Sequence, residues 1–163
     1  MAAGLAGTLS RIVAFDKLNE AQLADLGALG VVETQPAGHV LFEQNDTSND
    51  LYVILHGSVS ILVTPGLAPV AGDVTRTEIA VLRAGQLLGE VALVDQGLRT
   101  ATACVREEGT QLIRFARREL LALCDAQPAL GYQLMQQLAA DLALKLRSSD
   151  LLLRQLQEPP VDS

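Results

Sequence analysis

Leu87-Leu88-Gly89-Glu90-Val91-Ala92-Leu93-Val94-Asp95-Gln96-Gly97-Leu98-Arg99-Thr100-Ala101-Thr102-Ala103 is the stretch on which the reading of this chain turns. A glycine ahead of a short helical turn lets a ligand come close to the backbone. The amides of Val91 to Leu93 are then expected to lie unpaired at a helix N-terminus, where partial positive charge collects and anions bind. Arg99, returning across a short loop, adds a guanidinium that grips phosphate through two parallel hydrogen bonds. Glu90 is acceptor-only when ionised, so it repels phosphate but suits a sugar hydroxyl. An anion and a hydroxyl side by side describe a nucleotide-like ligand.

Working outward, short strands and turn residues surround this stretch. Downstream, strands are predicted over Ala101 to Arg106 and Gln111 to Phe115, joined by a hairpin turn at Glu107-Glu108-Gly109. Upstream lies a strand over Thr77 to Leu82, and before it Pro65 to Asp73, read as an exposed, mobile loop. Ser58 to Val63 is a strand in which Val59, Ile61 and Val63 alternate with Ser58 and Ser60. His56-Gly57 turns into it from the strand Leu51 to Leu55, and Asn45-Asp46 and Pro36-Ala37-Gly38 bracket the strand His39 to Phe42. Many short strands between turn signals suggest a barrel or a jelly-roll sandwich, mainly β with flanking α.

The ends of the chain read as helix. Leu9, Ile12, Val13, Phe15 and Leu18 fall at helical spacings, and a second helix starts at the N-cap Asn19, carries Leu23, Leu26 and Leu29, and closes at Gly30. Pro128 opens a long C-terminal helix running to about Gln157, with Leu130, Leu134, Leu138, Leu142 and Leu146 repeating every four residues. Residues 1–157 are expected to form one domain and 158–163 a disordered tail.

Composition removes several functions. A net charge of −7 argues against a nucleic-acid surface, which needs clustered Lys and Arg. Cys104 and Cys124 have no metal-type spacing and read as reduced thiols in a reducing, cytoplasmic setting. No apolar run approaches the length of a membrane span and no basic-then-apolar leader opens the chain, so neither membrane insertion nor secretion is expected. Two histidines, His39 and His56, sit beside turn glycines and cannot supply a metal site. Glu107-Glu108 is a carboxylate pair in a turn, expected in solvent. No catalytic constellation is present, so no enzyme is predicted.

Gly-Glu-Val-Ala-Leu at 89–93, with Arg-Thr-Ala at 99–101, resembles the phosphate-binding cassette of cyclic nucleotide-binding domains. Kinase regulatory subunits, cyclic nucleotide-gated channels and the bacterial catabolite activator group share that cassette. Phe42 to Asp46, Leu51 to Ile54, Gly57 to Val59, Leu82, Gly85 and Pro128 support the likeness, which covers roughly residues 9 to 148. Leu88 departs from the usual Phe and Asn45 from a common Gly.

The resemblance implies that Arg99 pairs with a cyclic phosphate and that Glu90 accepts from the ribose 2′-hydroxyl. Gly89, Val91 and Ala92 would supply backbone, and Thr100 would flank the phosphate. It implies an antiparallel jelly-roll β-barrel with N-terminal helices and a long C-terminal helix, cAMP or cGMP as ligand, with cAMP slightly favoured, and no further cofactor. Signalling would re-seat the final helix, bringing Lys145, Leu146, Ser148 and Ser149 toward the base. The leucines left over on that helix suggest a homodimer through Leu142, Leu146, Leu153 and Leu156. The output is expected to reach an unknown downstream protein rather than DNA. The rival readings are a constitutive interaction or dimerisation module with an unresponsive pocket, and a regulatory fragment of a larger channel, kinase or transcription factor.

Overall fold

A computed structural model describes residues 2–64 and 75–157 of the chain. The Pro65 to Asp73 loop and the 158–163 tail lie outside the described residues. Helix α1 (Ala2–Leu9), a 3-10 turn (Val13–Phe15) and α2 (Glu20–Leu29) come first. Asn19 caps α2 in a reciprocal box: its side chain accepts from the Gln22 amide while the Gln22 side chain accepts from the Asn19 amide. The helix expected through Leu18 stops at Leu9, and residues 10–18 run through turns around the 3-10 segment; Leu9, Ile12, Phe15 and Leu18 are buried all the same, whereas Val13 is 75% exposed, because the tight 3-10 turn aims it outward.

Eight strands follow: β1 (Val31–Gln35), β2 (Val40–Phe42), β3 (Leu51–His56), β4 (Ser58–Val63), β5 (Thr77–Arg83), β6 (Leu87–Leu88), β7 (Thr102–Val105) and β8 (Thr110–Phe115). They form two four-stranded antiparallel sheets, ordered β1-β8-β3-β6 and β2-β7-β4-β5. Between β6 and β7 lies the short helix α3 (Glu90–Asp95); α4 (Arg117–Ala126) and α5 (Pro128–Gln157) close the described chain. This is the jelly-roll with flanking helices that the pattern of strands implies.

The centre of the first sheet, β3 and β8, is buried on both faces, whereas its edge strand β1 is largely exposed. Leu51, Val53, Ile113 and Phe115 face the helices and pack with Leu26, Leu130, Leu134 and Leu138. Tyr52, Ile54 and Leu112 face the second sheet and meet Phe42, Val59, Leu82 and Val105. Burial on both sides explains why β3 is apolar from Leu51 to Leu55, up to the exposed His56 at its end. In β4 the alternation does not expose the serines. Ser58 Oγ donates to Glu107 at 2.6 Å and Ser60 Oγ to Glu78 at 2.6 Å, and the two glutamates cover them.

The predicted hairpin at Glu107-Glu108-Gly109 is not one. β7 pairs with β2 and β4, and β8 with β1 and β3, so the turn carries the chain from one sheet to the other. The β3–β4 turn makes the same crossing, and the two corners stack: the Arg106 amide donates to the Ser58 carbonyl at 2.9 Å. Gly57, at φ +87°, is required there because a Cβ would collide with Thr110. Glycine with positive φ serves corners and hairpins alike, so turn chemistry does not separate them. Neither glutamate forms a carboxylate pair. Glu107 holds Ser58, and Glu108 accepts from the Ala37 amide at 3.0 Å.

In α5 the leucines at every fourth position are buried from Leu130 to Leu138, half-buried at Leu142 and 65% exposed at Leu146. Four residues turn about 400° on an α-helix, so such a stripe precesses by about 40° per step and leaves the contact face. Among the described residues no helix is long and apolar enough to cross a membrane.

Candidate functional site

Residue 89 needs a backbone conformation that suits glycine: φ is +89° and ψ 7°, and it caps α3 without a side chain. A Cβ there would lie 2.6 Å from both Arg99 Nη1 and the Asp50 carbonyl oxygen. The glycine therefore lets the guanidinium lie flat against the backbone that opens α3. Within α3 the Leu93 amide donates to the Gly89 carbonyl at 3.3 Å, so Leu93 is not among the free amides; those of Glu90, Val91 and Ala92 have no carbonyl four residues back within the helix.

Arg99 is only 3% exposed, and the fold holds both its backbone and its guanidinium. Its backbone is pinned to the 43–46 turn: its amide donates to the Asp46 carbonyl at 2.9 Å and its carbonyl accepts from the Asn45 amide at 2.8 Å. Asn45 takes φ +72° in that turn and thus replaces a glycine without disrupting it. Nε donates to Ser48 Oγ at 3.2 Å, Nη1 to the Gly89 carbonyl at 3.3 Å and Nη2 to the Asp50 carbonyl at 2.8 Å. The guanidinium carbon lies 3.9 Å from the centre of the Phe42 ring, a cation–π contact. A guanidinium has five N–H groups, so two remain without a partner among the described residues. Burial pushes the Arg99 pKa below its ordinary value, opposed by Tyr52, Asp50, Asp46 and Glu90.

Glu90 is also buried, and its carboxylate is engaged from α5. Lys145 Nζ lies 2.5 Å from Glu90 Oε1, 3.2 Å from the Leu87 carbonyl and 2.9 Å from Asp141 Oδ2. Burial alone would lower the Lys145 pKa, but Glu90 and then Asp141 outweigh it and the pKa is raised. At the far end of α3, Arg117 Nε at the start of α4 donates to the Leu93 carbonyl at 2.9 Å.

Arg99, Glu90 and Lys145 border a cavity of about 520 Å³. Gly89, Glu90, Val91, Ala92, Arg99 and Thr100 all line it, so every residue singled out in the cassette meets the same space. Phe42, Ile61, Leu82 and Leu88 supply apolar walls from the sheets. Lys145, Ser148, Ser149 and Leu152 close it from α5. Leu146, expected at the base, is turned outward, and Leu152 lines the cavity instead. Ser48 and Asp50 were missed in the sequence. Asp50 contributes its backbone carbonyl, a contact no residue type encodes. His39 and His56 are exposed, and among the described residues no three His, Cys, Asp or Glu side chains cluster as metal ligands.

With this geometry in place, comparison with known proteins identifies its setting. The family model for the cyclic nucleotide-binding domain matches residues 32–127. Cyclic AMP receptor protein of Thermus thermophilus is 37% identical over 116 residues, 71% of this chain and 49% of that protein. The crystal structure of Thermus thermophilus catabolite activator protein superposes with a TM-score of 0.71 at 31% identity, covering 88% of this chain and 62% of the other. A cyclic nucleotide-binding domain from Methylobacillus flagellatus reaches a TM-score of 0.78 at 22% identity over 98% of this chain and 86% of its own, a likeness of fold. The chain thus spans about half the length of the curated receptor it matches.

Proposed function

This chain belongs to the cyclic nucleotide-binding domain family, and from that premise we propose that it is a sensor for cAMP or cGMP that reports binding through α5. The observation that carries the reading is Arg99: a buried guanidinium with two N–H groups to spare, lining a cavity beside a buried carboxylate. Retaining a cation in such a place is costly unless an anion uses it. In this reading the cyclic phosphate takes the two free N–H groups of Arg99 and the backbone of Gly89, Val91 and Ala92. Glu90 accepts from the ribose 2′-hydroxyl, Thr100 flanks the phosphate, and Ser148, Ser149 and Leu152 approach the base. The name of the Thermus relative, a cyclic AMP receptor, inclines the ligand toward cAMP.

Binding is read as an end in itself, without turnover. The signal passes to a downstream protein when α3 carries α5 with it. Exposed Leu146, Leu153 and Leu156, with half-buried Leu142, offer α5 as a homodimer seam. Net negative charge favours a protein partner over DNA, and two free cysteines suit the cytoplasm. Calorimetric titration of nucleotide-stripped protein with cAMP and cGMP tests the reading. Micromolar or tighter binding of either nucleotide supports it, and no binding by folded protein overturns it.

A further inference from the structure

Resting on that reading of the site, we infer that Arg114 is a positioning residue for ligand binding: it holds the Asp50 carboxylate away from Arg99, a carboxylate that would otherwise take the two N–H groups the cyclic phosphate needs. Asp50 stands between two arginines. Its backbone carbonyl accepts from Arg99 Nη2 at 2.8 Å, and its side chain accepts at Oδ2 from Arg114 Nη1 at 3.3 Å. Arg114 lies directly opposite Tyr52 of β3 and Val31 of β1, so it leaves the sheet on the same face as Tyr52. Its Nε donates to Glu33 Oε1 at 2.8 Å, which anchors the guanidinium on β1 while it holds Asp50. The side chains of Glu33, Asp50 and Arg114 are 24%, 30% and 33% exposed, so solvent screens these pairs only in part.

A carboxylate this near Arg99 is a rival for it. Asp50 is tethered to the guanidinium by its own carbonyl, and one change of rotamer about Cα–Cβ would turn its carboxylate from Arg114 toward Arg99. Its charge already reaches Arg99: burial lowers the Arg99 pKa, and Tyr52 and then Asp50 oppose that. The new pair would join a charged donor to a charged acceptor, the strong class of hydrogen bond. It would also occupy the two N–H groups that the described residues leave free. Competition lowers the apparent affinity by the fraction of molecules in which Arg99 stays available. A carboxylate that held it nine-tenths of the time would weaken binding about tenfold. Arg114 prevents this by offering Asp50 a partner of the same kind, and Glu33 keeps that partner in place. Two carboxylates share the one guanidinium, so Arg114 does not cancel their charge; it sets where the Asp50 carboxylate points.

Calorimetric titration of Arg114→Met, Asp50→Asn and the double variant with cAMP, cGMP and adenosine tests this, each protein first checked for cooperative melting. Arg114→Met should weaken the better cyclic nucleotide about five- to fiftyfold. Adenosine has no phosphate to compete for Arg99, and its affinity should change less than about twofold. In the Asp50→Asn background the same loss of Arg114 should cost less than about threefold, because a neutral amide is a weak rival for the guanidinium. If Arg114 only supports the sheet, its loss weakens adenosine equally or costs the same in both backgrounds. Either result overturns the inference, as does an Arg114→Met protein that binds like wild type. Should Arg114→Met fail to fold, Glu33→Gln takes its place by loosening the anchor. It should weaken the cyclic nucleotides about threefold or more, with recovery on adding Asp50→Asn; no loss, or a loss that persists, refutes the proposal. Failure of folded wild type to bind either nucleotide would remove the sensor itself, whereas normal binding with losses that Asp50→Asn does not recover would remove only the role of Arg114.

Discussion

Replacing Arg99 by alanine separates the ligand's use of the guanidinium from the protein's own. Within the protein the side chain donates to Ser48 Oγ and to the Gly89 and Asp50 carbonyls, and stacks on Phe42. Hydrogen bonds from a charged donor contribute about 1.5–3 kcal/mol each, but burying a guanidinium costs several kcal/mol in desolvation. The two nearly offset, and the expected loss of folding stability is about 1–2 kcal/mol. The ligand's share is carried by the two remaining N–H groups. Losing a charge-assisted phosphate pair should cost about 2–4 kcal/mol, roughly thirty- to a thousand-fold in affinity. Titration calorimetry with cAMP and cGMP measures that share, and urea unfolding without ligand measures the other. Adenosine, which lacks the phosphate, is the control and should lose little affinity. A loss under about threefold for the cyclic nucleotides refutes Arg99 as the phosphate partner. An equal loss for adenosine refutes the charge argument and leaves a distorted pocket.

Glu90→Gln should narrow the preference for cAMP over its 2′-deoxy analogue from roughly tenfold to a few-fold, since a charged acceptor becomes neutral; an unchanged ratio would place the hydroxyl elsewhere. Gly89→Ala must adopt φ +89° and meet Arg99 Nη1 and the Asp50 carbonyl, so it should destabilise by about 2 kcal/mol or more, and an unshifted urea midpoint would contradict the geometry. The raised pKa of Lys145, held up by Glu90 and Asp141 against burial, carries a sign. Its stabilisation is complete below the ordinary lysine value of about 10.4 and is lost only as pH rises through the higher folded value. Melting temperature should therefore show no loss between pH 7 and pH 9 that Lys145→Met abolishes. Sedimentation equilibrium should detect a dimer that Leu153→Ser with Leu156→Ser dissociates; a strict monomer at high concentration would dismiss the α5 seam.

What could be read in the sequence was what depends on residue type at short range. Asn19 with Gln22, Pro128 and the glycines at 38, 57, 89 and 109 fix the local chain direction, and each sits where its chemistry requires. The cassette residues meet at one cavity because seventeen consecutive positions contain them all. Hidden from the sequence was what depends on which surfaces face each other. The β7–β8 turn looks like a hairpin because a corner uses the same glycine, and only the pairing of β7 with β4 and of β8 with β3 tells them apart. The alternation of Ser58 and Ser60 with Val59, Ile61 and Val63 does not reveal that the serines are covered, because their covers, Glu107 and Glu78, are distant in the chain. The leucine stripe of α5 overstates its reach, since the helix turns Leu146 away while keeping the spacing.

In the proposed reading, α3 acts on a helix five times as long, and its placement supplies the means. α3 has six residues and is held at both ends by the C-terminal helices: Glu90 at its start by Lys145 of α5, and the Leu93 carbonyl near its end by Arg117 of α4. Leu93 itself is fully buried in the cluster that includes Leu130, Leu134 and Leu138 of α5. A ligand that draws Gly89 and Glu90 toward its phosphate and hydroxyl cannot shift α3 without disturbing an ion pair, a charged hydrogen bond and a packed leucine together. Close-packed cores respond to such a shift by moving neighbours as bodies rather than by deforming. α4 and α5 must then follow or release. Loss of the Arg117 bond through Arg117→Met should therefore leave the affinity of the phosphate site within a few-fold of wild type, because no ligand atom meets it in the proposed pose, yet weaken the response of α5. Amide exchange across residues 139–157, with and without nucleotide, reads that response. A protection change as large in Arg117→Met as in wild type would show that Leu93 and Lys145 suffice, and that α4 carries none of the signal.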